Sequence, residues 1–165
     1  MTTMTETTVT TQAYQVYIKA TPEAIWDALT KSEWAERYGY RGRVDYELRP
    51  GGAYHAYATE DMLAMGAPEV IIEGEVLEAD APRKLVQTWN ALFDPQIAAE
   101  AETRLAFELE PAEGGVTKLT LTHEFEGAPT TAALVGGTIP NTGGGWPYVL
   151  SDLKTLLETG KPLAG

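Results

Sequence analysis

Two periodicities divide this chain. From Tyr14 to Phe125 apolar residues alternate with polar ones in short runs, and from Trp146 to Glu158 they recur at helical spacing. In the later segment Trp146, Val149, Leu150, Leu153 and Leu157 share one face, the stripe of an amphipathic helix. Pro147 suits the first turn, where its missing N–H costs nothing, and Gly160 suits the left-handed stop. A helix with one apolar face after a series of half-apolar strands must cover a sheet. The volume between the two is where a function is expected.

The strands read as follows. Tyr14, Val16 and Ile18 share a face of the first. Thr21-Pro22-Glu23 then supplies an N-cap, a first-turn proline and an early acid, which predicts a helix with Ile25, Trp26 and Leu29 as its buried stripe. Ser32, read as a cap, with Glu33 starts a shorter helix through Trp34 to about Tyr38. Six strands follow, carrying Val44, Tyr46 and Leu48, then Tyr54 and Ala56, then Val70, Ile72 and Val76. The last three carry Leu85 to Trp89, then Leu105, Phe107 and Leu109, then Leu119, Leu121, His123 and Phe125.

A loop is expected around Asp61 and Gly66-Ala67-Pro68, and a short helical stretch at Ala98–Glu102. Short connections make neighbouring strands antiparallel. Seven strands and three helices on one side predict an α+β domain over residues 13–160. A threonine-rich disordered tail, 1–12, precedes it and a tail, 161–165, follows. Residues 127–145 hold six glycines and two prolines. This connection is expected to be mobile, either a plain surface loop or a lid feeding the last helix. Gly143-Gly144-Gly145 before that helix is a weak candidate for a small anion.

Composition narrows the partners. The formal charge of −12 across 165 residues argues against nucleic acid, whose phosphates need a basic stripe, and against an anionic membrane surface. No cysteine is present, so disulfides and thiol chemistry are excluded. No apolar run approaches the ~20 residues of a membrane span. The expectation is an acidic, cytoplasmic protein with no membrane insertion, no cofactor and no metal.

Polar residues on otherwise apolar strand faces carry the chemical signal, because a buried polar group needs a partner. His123, Gln87, Tyr46 and Tyr54 are such residues. With Trp89, Phe107, Trp146, Leu150 and Leu153 they form the expected ligand-binding wall. His123 is also the one candidate acid or base, since imidazole titrates near neutrality. The plainer reading is an interior histidine with its hydrogen bonds satisfied, or one near the sheet edge. His55 alternates onto the solvent face, and no nucleophilic triad is expected, since Ser32 reads as a helix cap and Ser151 sits beside Asp152 on the last helix.

Six phrases in register carry a family resemblance. They are Ala20-Thr21-Pro22-Glu23-Ala24-Ile25-Trp26, Leu48-Arg49-Pro50-Gly51-Gly52, and Gly74-Glu75-Val76 running through Ala81-Pro82-Arg83-Lys84-Leu85-Val86 to Thr88-Trp89. The others are Phe107-Glu108-Leu109-Glu110-Pro111, Leu119-Thr120-Leu121-Thr122-His123 and Gly145-Trp146-Pro147-Tyr148. Over residues 13 to 160 the chain resembles the activator of Hsp90 ATPase homologue-like family, part of the START-like, or SRPBCC, superfamily of helix-grip proteins. The resemblance implies a curved antiparallel sheet gripping the long C-terminal helix around a cavity. It implies no reaction, because members include ligand carriers, cyclases and hydrolases. Arg37-Tyr38-Gly39-Tyr40 stands where members commonly carry paired tryptophans.

Three functions remain open. The leading one is binding of a small hydrophobic or aromatic molecule without committed catalysis. The second is a cyclase- or hydrolase-like enzyme using His123 and cavity tyrosines. The third is an acidic interaction module that modulates a chaperone or regulator. A homodimer is compatible with each.

Overall fold

The alternating segments form seven strands: β1 (Thr11–Ile18), β2 (Val44–Tyr46), β3 (Ala53–Tyr57), β4 (Val70–Asp80), β5 (Lys84–Ala91), β6 (Thr103–Pro111) and β7 (Thr117–Glu124). The computed structural model describes residues 10–138 and 144–164. The strands make one sheet in the order β1-β7-β6-β5-β4-β3-β2, antiparallel at every pairing. The sheet curves around the C-terminal helix, as the α+β helix-grip expectation requires. Register places like residues together: Phe107 lies opposite Leu85 on one side and Leu121 on the other. Alternation then puts Leu105, Phe107, Leu109, Leu119, Leu121 and His123 on the inner face, all buried.

Six α-helices accompany the sheet among the described residues: α1 (Pro22–Thr30), α2 (Ser32–Ala35), α3 (Glu60–Ala64), α4 (Pro95–Ala98), α5 (Pro129–Val135) and α6 (Gly145–Thr159). α1 begins as its sequence directs, with Thr21 Oγ1 accepting from Ala24 N at 3.1 Å and Pro22 in the first turn. α6 ends at Gly160, whose φ of 79° permits the left-handed turn. Its buried face includes Leu150, Leu153 and Leu156. α6 starts where no other residue fits. Gly145 has φ 63°, and a Cβ there would lie 2.2 Å from Val135 O, so α5 and α6 meet backbone to backbone.

Several sequence expectations are corrected. The sheet begins at Thr11, so Thr11 and Gln12, expected in the tail, pair with Glu124 and His123. Residues 1–9 of that tail lie outside the described residues, as do 139–143 of the glycine-rich connection, including Gly143, and residue 165. The described part of that connection contains a helix, α5, with Thr131, Ala132, Leu134 and Val135 buried. Ser32 is not a cap. It is the first residue of α2, and its hydroxyl donates to Val44 O and accepts from Val44 N at 2.6 and 3.0 Å. That exchange staples α2 to β2.

α2 stops at Ala35, and Leu48 lies beyond β2 with 41% exposure. The helical stretch expected at Ala98–Glu102 is α4, one turn starting earlier. There Asp94 Oδ1 caps Gln96 N at 2.8 Å and Pro95 opens the turn. α3, α4 and α5 span two turns or fewer, too short for a periodic stripe to register.

Candidate functional site

Inner-face alternation and the α6 stripe converge on one hollow. It lies between the sheet and α6, has a volume of about 100 Å³, and includes Tyr46, Tyr54, Trp89, Phe107, Trp146, Leu150 and Leu153 in its lining. Seven of the nine expected wall residues are therefore brought together. Gln87 and His123 are not among them: both are fully buried behind the wall.

His123 is engaged on both ring nitrogens. Trp146 Nε1 donates to its Nδ1 at 3.0 Å. Its Nε2 lies 2.7 Å from Thr103 Oγ1, and Thr103 gives its own hydrogen to Trp89 O at 2.6 Å. Thr103 must then accept, so the network assigns the proton to Nε2. The ring also stacks on Phe125 at 4.1 Å and meets the Trp89 ring edge-on at 5.2 Å. Burial without a compensating charge pushes its pKa down to about 3. This imidazole is neutral and has no free nitrogen to offer a substrate.

Gln87 does similar work on the other side. Its Oε1 accepts from Tyr46 OH at 2.7 Å, which holds the Tyr46 ring against Tyr54 with centroids 4.5 Å apart. Tyr38, from the turn after α2, donates to Ala28 O at 2.8 Å and adds a third phenol to the wall. Burial raises Tyr38, Tyr46 and Tyr54 above the ordinary phenol value. All three stay protonated hydroxyls.

Two further spaces adjoin the hollow. A second space of about 120 Å³ shares Tyr38, Tyr54, Trp89, Trp146 and Val149 with it and reaches Tyr40, Ile71, Ile72 and one charged residue, Arg41. An open cleft of about 450 Å³ borders the same Tyr40, Ile71, Ile72 and Trp89 side chains, between α3, the start of β4 and α5. Met62, Met65, Phe93, Ile71 and Leu134 line it with Tyr40 and Trp89, and no charged side chain does among the described residues. Trp89 borders all three spaces. The larger volume thus lies at the mouth rather than beneath the helix.

Sequence reading missed this mouth for identifiable reasons. α3 was expected as a loop, although Thr59 is a capping residue whose Oγ1 accepts from Met62 N at 3.2 Å. Ile71 is buried beside Ile72; the register of β3 against β4 shifts between Ala56 and Tyr57, and such irregularity breaks strict alternation. Leu134 arrives on α5 from the connection expected to be mobile.

A buried carboxylate went unrecognised as well. Asp152 on α6 is fully buried. Its Oδ2 accepts from Gly39 N and its Oδ1 from Leu163 N, both at 2.8 Å. It ties the turn carrying Tyr38 and Tyr40 to the C-terminal segment, which Arg41 also holds through Ala164 O at 2.6 Å. Glu100 plays the matching part for α5. Its carboxylate accepts from Thr130 N, Thr131 N and Thr131 Oγ1 at 2.7 to 2.9 Å. Partial burial opposes ionisation, but those bonds outweigh it and hold Glu100 below the usual carboxylate value.

Among the described residues no group of three or more histidines and carboxylates could hold a metal ion. No described helix is long and apolar enough to cross a membrane.

This covered sheet with a hollow under its terminal helix defines a helix-grip protein. A family model described as activator of Hsp90 ATPase homolog 1-like protein matches residues 19–158, and the chain belongs to that family. No curated protein matches it. Among solved structures, an HSP90 activator from Plasmodium falciparum is 19% identical over 90% of this chain and 96% of its own, with a TM-score of 0.62. The Aha1 dimer from Colwellia psychrerythraea is 19% identical over 92% and 98%, with a TM-score of 0.64. CalU16 from Micromonospora echinospora is 19% identical over 91% and 77%, with a TM-score of 0.60. At these identities the likeness is one of fold.

Proposed function

We propose that this chain binds a small, uncharged, largely apolar molecule, with the bulk of the ligand in the cleft beside α3 and one end reaching under α6. One observation carries the reading: an apolar cleft of about 450 Å³, with no charged side chain among its described lining residues, borders the same Trp89 ring as the hollow between sheet and helix. Its size falls in the range of ligand pockets, roughly 300–1,000 Å³. Met62 and Met65 add adaptable thioether surface at the mouth. The buried, doubly engaged His123 lends no support to a catalytic alternative.

Titration with Nile red, a neutral fluorescent probe, tests this. Saturable binding is expected in the native protein. Ala67 lines the cleft, and Ala67→Trp should fill it and weaken binding about ten-fold or more without lowering the melting temperature. No saturable binding, or equal binding in both proteins, would refute the proposal. Pairing of two copies, which the name of the Colwellia neighbour records for that protein, is a separate proposal for this chain, decided by light scattering on the purified protein.

A further inference from the structure

The sheet has two outer strands, β2 and β1, and their edges are protected very unequally. β2 is three residues long and carries Asp45. Its outward-facing Val44 N–H and C=O are both taken by the Ser32 hydroxyl. β1 is eight residues long and contains no Asp, Glu, Lys, Arg or Pro. Of the other strands only β3, which is internal, also lacks a charged residue. Register decides which β1 groups point outward. Thr10 O accepts from Phe125 N, so Gln12, Tyr14 and Val16 turn their N–H and C=O toward β7. The backbone groups of Thr11, Ala13, Gln15 and Tyr17 therefore face away from the sheet. Tyr17 O accordingly accepts from Lys154 Nζ at 2.7 Å. Among the described residues no hydrogen bond reaches the outward groups of Thr11, Ala13 and Gln15, and all three side chains are exposed. Free edges are ordinarily blunted by charge, proline, a bulge or short length. β2 uses two of these devices and β1 none.

We infer that β1 is a pairing edge for a second copy of this chain, joined antiparallel to its own counterpart across a two-fold axis at Ala13. This inference rests on the proposal that two copies pair, and names the surface. Charge favours this edge: a net −12 sets most faces of two copies against each other, whereas β1 brings no charged side chain to the seam. Geometry favours the centre. An axis at Ala13 sets Ala13 opposite the partner's Ala13 and Thr11 opposite the partner's Gln15, and no other centre pairs the three free residues entirely among themselves. An axis one residue later would call on Tyr17 O, which Lys154 already holds. The small Ala13 side chain allows close approach at the axis. Tyr17, 55% exposed, lies diagonal to the partner's Thr11 and covers the seam. Because Ser32 occupies the outward groups of Val44 at the opposite edge, the assembly closes at two copies. A seam this short predicts micromolar rather than nanomolar affinity.

Light scattering at tens of micromolar and above, with two substitutions at Ala13, tests it. The native protein should show the mass of two chains. Ala13→Pro deletes an N–H that takes no part in the β1–β7 ladder, so the fold tolerates it. Ala13→Lys sets like charges directly opposite across the axis. Each should weaken pairing about ten-fold or more, with the circular dichroism spectrum retained. The chain has no cysteine, so Ala13→Cys supplies a single thiol. Mild oxidation should join two copies through it, because opposed residues of a hydrogen-bonded pair lie within disulfide reach. Ser151→Cys, on exposed α6 surface, should stay uncross-linked. A dimer undiminished by Ala13→Lys, or no faster cross-linking at Ala13→Cys than at Ser151→Cys, overturns the β1 seam and leaves the pairing proposal standing. A native protein that stays a single chain at these concentrations overturns both.

Discussion

Acid should weaken this fold well above the carboxylate range, and His123 gives the size of the effect. In the folded protein its pKa is about 3, against an ordinary value near 6.5. The unfolded chain therefore takes up a proton at pH values where the folded one does not. Its contribution is fully present above about pH 6.5 and is lost progressively as the pH falls toward 3. At pH 5 the solution stands about 1.5 units below the unfolded pKa. At about 1.4 kcal/mol per unit, roughly 2 kcal/mol of stability is lost relative to neutral pH. The structural cause is specific. A proton on Nδ1 would face the Trp146 indole N–H at 3.0 Å, donor against donor.

Urea unfolding at pH 7 and pH 5 measures this directly. The native protein should lose about 2 kcal/mol. His123→Asn keeps a short acceptor for Trp146 without a titrating ring, so it should be less stable at pH 7 but nearly flat across the interval. A native protein equally stable at both pH values would refute the reasoning, as would a variant with an undiminished slope. Glu100 and Glu158, whose carboxyl pKa values are lowered in the fold, lose their contributions only at still lower pH.

Asp152→Ala should cost about 3 kcal/mol in urea unfolding, because it removes two hydrogen bonds to a charged acceptor and strands the Gly39 and Leu163 amides. A cost under about 1 kcal/mol would show that this carboxylate is not a clamp. Glu100→Ala should destabilise by about 1 to 2 kcal/mol. Hydrogen exchange is expected to speed up at the α5 amides first, since Glu100 bonds Thr130 and Thr131. Gly145→Ala combines a left-handed φ with a Cβ 2.2 Å from Val135 O, so a loss of about 3 kcal/mol or failure to fold is expected; a melting point within a few degrees of native would contradict the close contact of α5 with α6.

The part of the site legible in the sequence is the part made by regular elements. Tyr46, Tyr54, Trp89 and Phe107 were read from a period of two, and Leu150 and Leu153 from a period of 3.6. Each of them lines the hollow. His123 and Gln87 were placed correctly on the inner face, but their roles depend on Trp146, Thr103 and Tyr46, which come from other elements. Asp152 escaped notice because hydrophobic periodicity counts apolar residues, and its partners are backbone amides 113 and 11 residues away. The outer cleft was hidden because a one-turn helix, a shifted register and a helix within glycine-rich sequence assemble it.

The persistence of a hollow in an interior that otherwise packs closely also has a physical reason. Protein cores fill voids when side chains can rotate into them. Here the rings around the space are held from behind. Tyr38 is tied to Ala28 O, Tyr46 to Gln87, and Trp146 to His123. Phe107 meets Trp146 edge-on at 6.3 Å, which limits the swing of both rings. Aliphatic residues at 87 and 123 would free Tyr46 and Trp146 to turn inward and close the space. The two buried polar residues that never touch the hollow are thus the ones that hold it open, and this accounts for polar side chains in the middle of apolar strand faces.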